Sequence, residues 1–245
     1  MRAVLKLGLV YIFYSEVMNE EQKSYYQKEW SKLELSDKFG RSGCRTIVPA
    51  PDFVQFVDWL KSEAISGRAL DIGCGAGRHS ILLAQNNYNT YGIDFAKSAI
   101  KLAETSAKSA NSENSTSFRV GNALALPYDK DYFNIINDDG CLHHIEPTDW
   151  SLYLNNITRV IKRGGILRIK AFSKNCTYFD QNTSVGSPQW VRLGSSGYTY
   201  FFGESDLRRL FQSKFEIITL EENTHSAASD KNFSFLFYER CSATI

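Results

Sequence analysis

The sequence predicts an α/β fold built on a doubly wound, mostly parallel sheet with helices on both faces. Short apolar runs alternate with amphipathic stretches from Arg68 to about residue 172, which is the pattern of parallel strands joined by crossover helices. The first of these runs, 68–72, leads through a glycine-rich turn into a stretch with helical periodicity. At 245 residues the chain is long enough for one large α/β domain with its own core.

The elements of this core follow from the spacing of their apolar residues. In chain order the pattern predicts strand 68–72, helix 77–87, strand 89–93, helix 96–110, strand 116–120, strand 132–137, helix 148–162 and strand 165–172. A helix at 204–213 then precedes two β-prone segments, 215–221 and 232–240. Because these two segments follow each other closely, we expect them to form an antiparallel pair.

The first seventeen residues precede the predicted helices and differ from them in composition. Residues 1–17 contain an apolar run with Arg2 and Lys6, but no small-residue cleavage site follows, and the run is too short to span a membrane. We expect a leader or disordered tail, and the sequence leaves open whether translation starts at Met1 or, as we expect, at Met18.

Two further regions complete the organisation of the chain. Residues 18–64 are expected to form an N-terminal helical cap, with helices at about 20–36 and 51–64. The main domain is expected over 65–245, with an aromatic-rich insertion at about 173–203. A segment of that length beside a sheet usually covers a site, so we interpret it as a substrate lid.

Composition excludes several classes of protein. A formal net charge of +1 and a pI near 7.6 give no overall electrostatic footprint for nucleic acid. The five cysteines are scattered without a CxxC pair, so they predict neither a zinc site nor a disulfide framework. We therefore expect a cytoplasmic protein without a bound metal.

The turn after the first strand carries glycines at alternate positions, Gly73, Gly75 and Gly77. This spacing differs from the dinucleotide fingerprint, which requires its third glycine where this chain has Arg78. Such a turn lets a ligand approach the main chain at a helix N-terminus. Asp94 ends the next strand, twenty-one residues after Gly73, where an acidic side chain can bind ribose hydroxyls.

Four segments in order resemble the class I S-adenosylmethionine-dependent methyltransferases, and the resemblance covers about residues 65–240. The segments are "LDIGCGAGRHS", "YGIDFAKSAI", "NALALPYDKDYFNII" and "LYLNNITRVIKRGGILRI". The resemblance implies a seven-stranded sheet with an antiparallel last strand, and S-adenosyl-L-methionine as the cofactor.

The resemblance also implies the residues that hold this cofactor. The methionine part is expected beside Asp71, Gly73, Cys74 and Gly75, the ribose and adenine beside Asp94 and Phe95, and the adenine amino edge beside Asn122 and Ala123, with Asp138 as a further contact. The family commonly carries Asp where this chain has Asn122, but the amide carbonyl can still accept a hydrogen bond from adenine.

The exit of the fourth strand, "NDDGCLHHIEP" at 137–147, is where this fold places residues that face the reactive methyl group. His143 or His144 is a candidate general base, since histidine titrates near neutral pH. The alternative is that both rings only pack or cap, and that catalysis rests on alignment.

The acceptor pocket is expected to be aromatic. Tyr26 and Trp30 lie on a helix before the core, and Trp190 and Tyr198 lie in the 173–203 segment, with Asp139 at the strand exit. Aromatic faces suit a sulfonium cation, although ordinary core packing would also explain these residues.

These observations predict methyl transfer to a small-molecule O, N or C acceptor by in-line displacement. An RNA or protein methyltransferase and a non-catalytic S-adenosylmethionine-binding protein remain as alternatives. The sequence does not identify the acceptor.

Overall fold

A computed structural model describes residues 20–32, 47–175, 188–193, 197–227 and 230–240, with side chains as far as residue 222. The leader at 1–17 lies outside these residues, as do parts of the predicted cap and of the 173–203 insertion.

The described residues form six helices and nine strands. The helices are α1 (20–30), α2 (Pro51–Ser62), α3 (Arg78–Gln85), α4 (Lys97–Ser109), α5 (Trp150–Val160) and α6 (Glu204–Phe211). The strands are β1 (Arg68–Ile72), β2 (Asn89–Asp94), β3 (Thr116–Val120), β4 (Phe133–Asp139), β5 (Ile161–Phe172), β6 (Trp190–Arg192), β7 (Tyr198–Tyr200), β8 (Glu216–Ala227) and β9 (Asp230–Arg240). None of the helices described here is long and apolar enough to cross a membrane.

The main sheet has the strand order β3-β2-β1-β4-β5-β9-β8. Strands β1 to β5 pair in parallel, whereas β9 is antiparallel to both β5 and β8. The predicted mostly parallel α/β sheet is confirmed. The strand order reverses between β1 and β4, and ligands of such sheets bind at the carboxyl ends of the strands beside that reversal.

Alternate residues of the central strands enter two different cores. Leu70, Ile136 and Leu167 pack in a cluster with residues of α5 and α6. Their neighbours along the strands, such as Ile135, pack with α2 and α3. Because successive strand residues point to opposite faces, helices cover both faces of the sheet.

The boundary between α5 and β5 differs from the prediction. The predicted helix 148–162 ends at Val160, and β5 begins at Ile161 rather than at residue 165. Ile161 already pairs with Phe133, and the register then shifts before Ile135 pairs with Ile166. The early start of β5 thus depends on pairing with β4, which the apolar spacing of this segment does not reveal.

Candidate cofactor and acceptor site

The glycine turn joins β1 to α3 at the carboxyl edge of the sheet. Gly73, Gly75 and Gly77 have φ angles of 67°, 53° and 80°, in the left-handed region that favours glycine. A Cβ atom at Gly75 would lie 2.6 Å from the indole of Trp30, and one at Gly73 would lie 3.0 Å from Cβ of Cys141. Both the backbone conformation and the close packing therefore require glycine here.

Asp94 lies beside this turn at the end of β2. One carboxylate oxygen accepts the N–H of Gly75 at 3.0 Å and the other accepts the N–H of Ala96 at 2.8 Å. Burial raises the pKa of Asp94 to about 6, and the backbone N–H groups oppose this shift. A carboxylate oxygen has more than one lone pair, so Asp94 can hold the turn and still accept from ribose hydroxyls.

Asp71 is buried below the turn. Its carboxylate oxygens accept the Ser80 hydroxyl and the Asn137 amide, both at 2.7 Å. Burial raises the pKa of Asp71 to about 6, although both hydrogen bonds lower it. Asp71 therefore ties β1 to α3 and β4, and its predicted contact with the cofactor stays a prediction.

A cavity of about 30 Å³ lies against the turn. Its lining consists of Trp30, Asp71, Gly73, Cys74, Gly75, Ala76, Arg78, His79 and Asp139. Pockets for nucleotide-sized ligands usually hold about 300–1,000 Å³. Because Trp30 covers Gly75, a ligand of that size reaches the turn only when the Trp30 side chain or α1 moves.

A charged cluster that the sequence analysis missed surrounds Asp139. Arg168 donates to Asp139 at 3.0 Å and to Asp52 at 2.6 Å, and Lys170 donates to Asp52 at 3.0 Å. Burial raises the pKa of Asp139, but Lys170 and the other nearby cations outweigh burial and hold it well below its usual range. Asp139 is thus an anion at the cavity. Two cations within the apolar strand "ILRIKAF" were the available signal, since buried charges need partners.

Asp138 supports the turn that carries the two histidines. Its oxygens accept the N–H of Cys141 at 2.7 Å and the hydroxyl of Tyr153 at 2.5 Å. Burial raises the pKa of Asp138 to about 7, against these hydrogen bonds. The carboxylate therefore caps the turn at residues 142–144. Its predicted contact with the cofactor stays a prediction.

His143 points into the protein. Its ring lies 4.4 Å from the ring of Phe172, and burial holds its pKa well below the usual range. Its Nδ1 has no hydrogen-bond partner within the described residues. This environment favours a packing role.

His144 has a different environment, because it contacts both α1 and β7. Its Nε2 is 2.7 Å from the Tyr26 hydroxyl, and its Nδ1 is 3.2 Å from both the carbonyl of Tyr198 and the hydroxyl of Thr199. Burial lowers the pKa of His144 to about 4. Tyr26 also meets Phe95, with ring centroids 5.9 Å apart. Two predicted pocket residues and one predicted base therefore lie together.

The remaining predicted residues lie after β2, after β3, in the β6–β7 pair and in the glycine turn. Phe95 is 38% exposed after β2. Asn122 accepts the N–H of Leu124 at 2.9 Å, so its amide carbonyl also stabilises its own turn, next to Ala123. Trp190 stacks on Tyr198 within the β6–β7 pair, with centroids 5.4 Å apart. The Cys74 thiol is buried in the turn, and burial raises its pKa well above the usual range.

Sequence comparison finds relatives of this chain among known methyltransferases. Ajmaline N-methyltransferase from Rauvolfia serpentina is 29% identical over 160 residues, which are 64% of this chain and 54% of that protein. The tRNA N(3)-methylcytidine methyltransferase trm140 from Schizosaccharomyces pombe is 23% identical over 69% of this chain and 58% of its own length. The chain thus spans little more than half of these two relatives.

A solved structure shares the fold. The 1,6-didemethyltoxoflavin-N1-methyltransferase of Burkholderia thailandensis, with bound 1,6-didemethyltoxoflavin and S-adenosylhomocysteine, superposes with a TM-score of 0.63. It is 17% identical, and the match covers 78% of both chains. A family model described as a methyltransferase domain matches residues 66–222, which include the glycine turn, Asp94 and the histidine turn. The chain belongs to this methyltransferase-domain family.

Proposed function

We propose that this protein is an S-adenosylmethionine-dependent methyltransferase that acts on a small molecule. The observation that carries the proposal is the position of the glycine turn, Asp94 and His144 at one carboxyl edge of the sheet. The N-methyltransferase relative and the structure with a bound small acceptor support it. The antiparallel pairing of β9 supports the seven-stranded arrangement that the resemblance implies.

The described residues fit the proposed cofactor. Asp94 would accept hydrogen bonds from the ribose hydroxyls, and the exposed ring of Phe95 would offer a face to adenine. Asp139 lines the cavity as an anion, but Arg168 donates to it at 3.0 Å and Arg78 lies beside it, so it offers little net charge to the sulfonium and the α-ammonium group. When bound, S-adenosylmethionine supplies an electrophilic methyl group.

The protein's own contribution is alignment and handling of the acceptor's proton. The proposed cofactor residues follow β1, β2, β3 and β4, so they would hold the methyl donor at this edge of the sheet. Tyr26 and His144 lie on the acceptor side, between α1 and β7. Holding nucleophile, methyl and sulfur in line supplies much of the rate of such displacements.

The proposal is tested in two stages. Calorimetry of S-adenosylmethionine, S-adenosylhomocysteine and NAD should show dissociation constants on the order of micromolar for the first two alone. Small metabolites and total RNA are then incubated with the protein and methyl-labelled S-adenosylmethionine. Label in a small molecule supports the proposal, label in RNA favours the nucleic-acid alternative, and binding without transfer to any acceptor favours the non-catalytic alternative.

A further inference from the structure

The other hydrogen bonds of His144 determine which partner donates in the hydrogen bond between His144 and Tyr26. The carbonyl of Tyr198 can only accept, so Nδ1 of His144, 3.2 Å away, carries the ring hydrogen. The Thr199 hydroxyl, also 3.2 Å from Nδ1, can donate or accept and does not decide the tautomer. Burial keeps the ring neutral at pH 7, because its pKa is lowered to about 4.

The neutral Nδ1–H tautomer leaves a lone pair on Nε2. The Tyr26 hydroxyl, 2.7 Å from Nε2, therefore donates its hydrogen to His144. A hydroxyl oxygen that donates keeps its lone pairs, so the oxygen of Tyr26 presents an acceptor to a ligand.

The helix α1 brings this oxygen close to the proposed cofactor site. Tyr26 and Trp30 are four residues apart and lie on the same side of α1. Trp30 contacts Gly75 of the glycine turn, whereas Tyr26 meets Phe95 and His144. Several hydrogen bonds hold the helix in this position, among them those from the Ser98 hydroxyl to the Gln27 carbonyl and from the Gln22 amide to the Tyr198 carbonyl.

We propose that Tyr26 is a catalytic residue that receives the hydrogen of the acceptor atom, and that His144 is the positioning residue that orients the Tyr26 hydroxyl. The Tyr26–His144 pair then serves an N–H or O–H nucleophile, whereas tertiary amines and thioethers carry no such hydrogen and do not need it. This inference rests on the proposed methyl transfer and assigns the pair to acceptors that lose a proton.

The proton and electron balance of the step is complete. The acceptor's lone pair forms the new bond to the methyl carbon, and the carbon–sulfur bond breaks with its electron pair on sulfur. The acceptor's proton passes to the oxygen of Tyr26 while the hydroxyl proton of Tyr26 passes to Nε2 of His144. Water then takes a proton from the imidazolium and Tyr26 keeps its hydroxyl.

The first test needs no turnover. Nitrogen-15 NMR of the ligand-free protein should show His144 as the Nδ1–H tautomer, neutral from about pH 5 to 8. Within the described part of the chain, Tyr26 from α1 and His143 from its own turn are the titratable side chains that contact His144. Nitrogen shifts of the Nε2–H tautomer, or of an imidazolium at pH 7, would overturn the assignment.

The second test uses Tyr26→Phe, with Tyr25→Phe as the matched control on the same helix. Tyr26→Phe should lower kcat by roughly 10²–10⁴-fold, the usual share of general acid–base catalysis, while S-adenosylhomocysteine binds within about twofold of the wild type. Tyr25→Phe should leave kcat unchanged. His144→Gln offers the hydroxyl an amide carbonyl that can accept its hydrogen bond but not its proton, so it should lose kcat as His144→Ala does while still binding S-adenosylhomocysteine. Normal turnover by Tyr26→Phe, or an equal loss of S-adenosylhomocysteine affinity, contradicts the role of Tyr26.

The third test probes the acceptor class with a panel of secondary amines and phenols against matched tertiary amines and thioethers. Tyr26→Phe should slow methylation of the first group and leave any methylation of the second group unchanged. An equal loss for both groups overturns this inference but leaves the methyltransferase proposal intact. Failure of S-adenosylmethionine to bind at all counts against the proposed function instead.

Discussion

At the scale of single residues, several acidic side chains of the site also stabilise main-chain turns. Asp94 accepts N–H groups from the glycine turn and from the start of α4, and Asp138 caps the histidine turn. Both carboxyl groups are buried, and burial raises their pKa values to about 6 and about 7. The site is therefore shaped by carboxyl groups whose charge changes near neutral pH.

Asp94 gives a pH-dependent prediction for cofactor affinity. The carboxylate is the stronger acceptor for ribose hydroxyls, so S-adenosylhomocysteine should bind more weakly as the pH falls through about 6 and Asp94 takes up a proton. Asp94→Asn should cost about 1.5–3 kcal/mol of binding free energy at pH 8 and lose most of this pH dependence. Calorimetry at pH 5 and pH 8 measures both effects.

The matched control is Asp58→Asn on the exposed surface of α2. It should bind S-adenosylhomocysteine as the wild type does at both pH values. If Asp94→Asn binds equally well at pH 8, Asp94 does not hold the ribose.

At the scale of elements, apolar spacing predicted the bounds of those strands that are determined by their own local sequence. The bounds of β1 and β3 agree with the prediction to the residue, whereas β5 begins four residues early because Ile161 pairs with Phe133. The meeting of the glycine turn and Asp94 was predictable, since both follow adjacent parallel strands. The contact of Tyr26 with His144 joins residues 118 positions apart, and no sequence period reports it.

The position of α1 predicts a gate for cofactor entry. Trp30 is only 9% exposed and packs on the glycine turn, so we expect its side chain or α1 to move before a cofactor binds. When a ligand binds only a minor open form, the apparent association rate is reduced in proportion to the population of that form. Trp30→Ala should therefore raise the association rate of S-adenosylhomocysteine several-fold in stopped-flow measurements.

Trp59→Ala serves as the control for this prediction, because Trp59 stacks on Phe56 of α2, away from the glycine turn. Its association rate should match that of the wild type. An unchanged or lower rate for Trp30→Ala would mean that α1 does not limit entry.

At the scale of the whole molecule, the candidate site depends on residues from most of the chain. The proposed cofactor residues follow β1, β2, β3 and β4, and the proposed acceptor side adds α1 and β7. These elements reach one edge only when the complete parallel sheet has formed. A ligand held there binds the folded state and not the unfolded chain, so binding and stability are linked.

This linkage predicts a thermal shift that distinguishes the proposed cofactor from other nucleotides. At about 100 times its dissociation constant, S-adenosylhomocysteine should stabilise the fold by about 2.7 kcal/mol. For a domain of this size that corresponds to a rise in Tm of about 5–10 °C. NAD at the same concentration should leave Tm unchanged, because the position of the third fingerprint glycine is occupied by Arg78. Equal stabilisation by NAD would show that the glycine turn does not select the proposed cofactor, and the loss of the shift in Asp94→Asn would place the effect at this edge of the sheet.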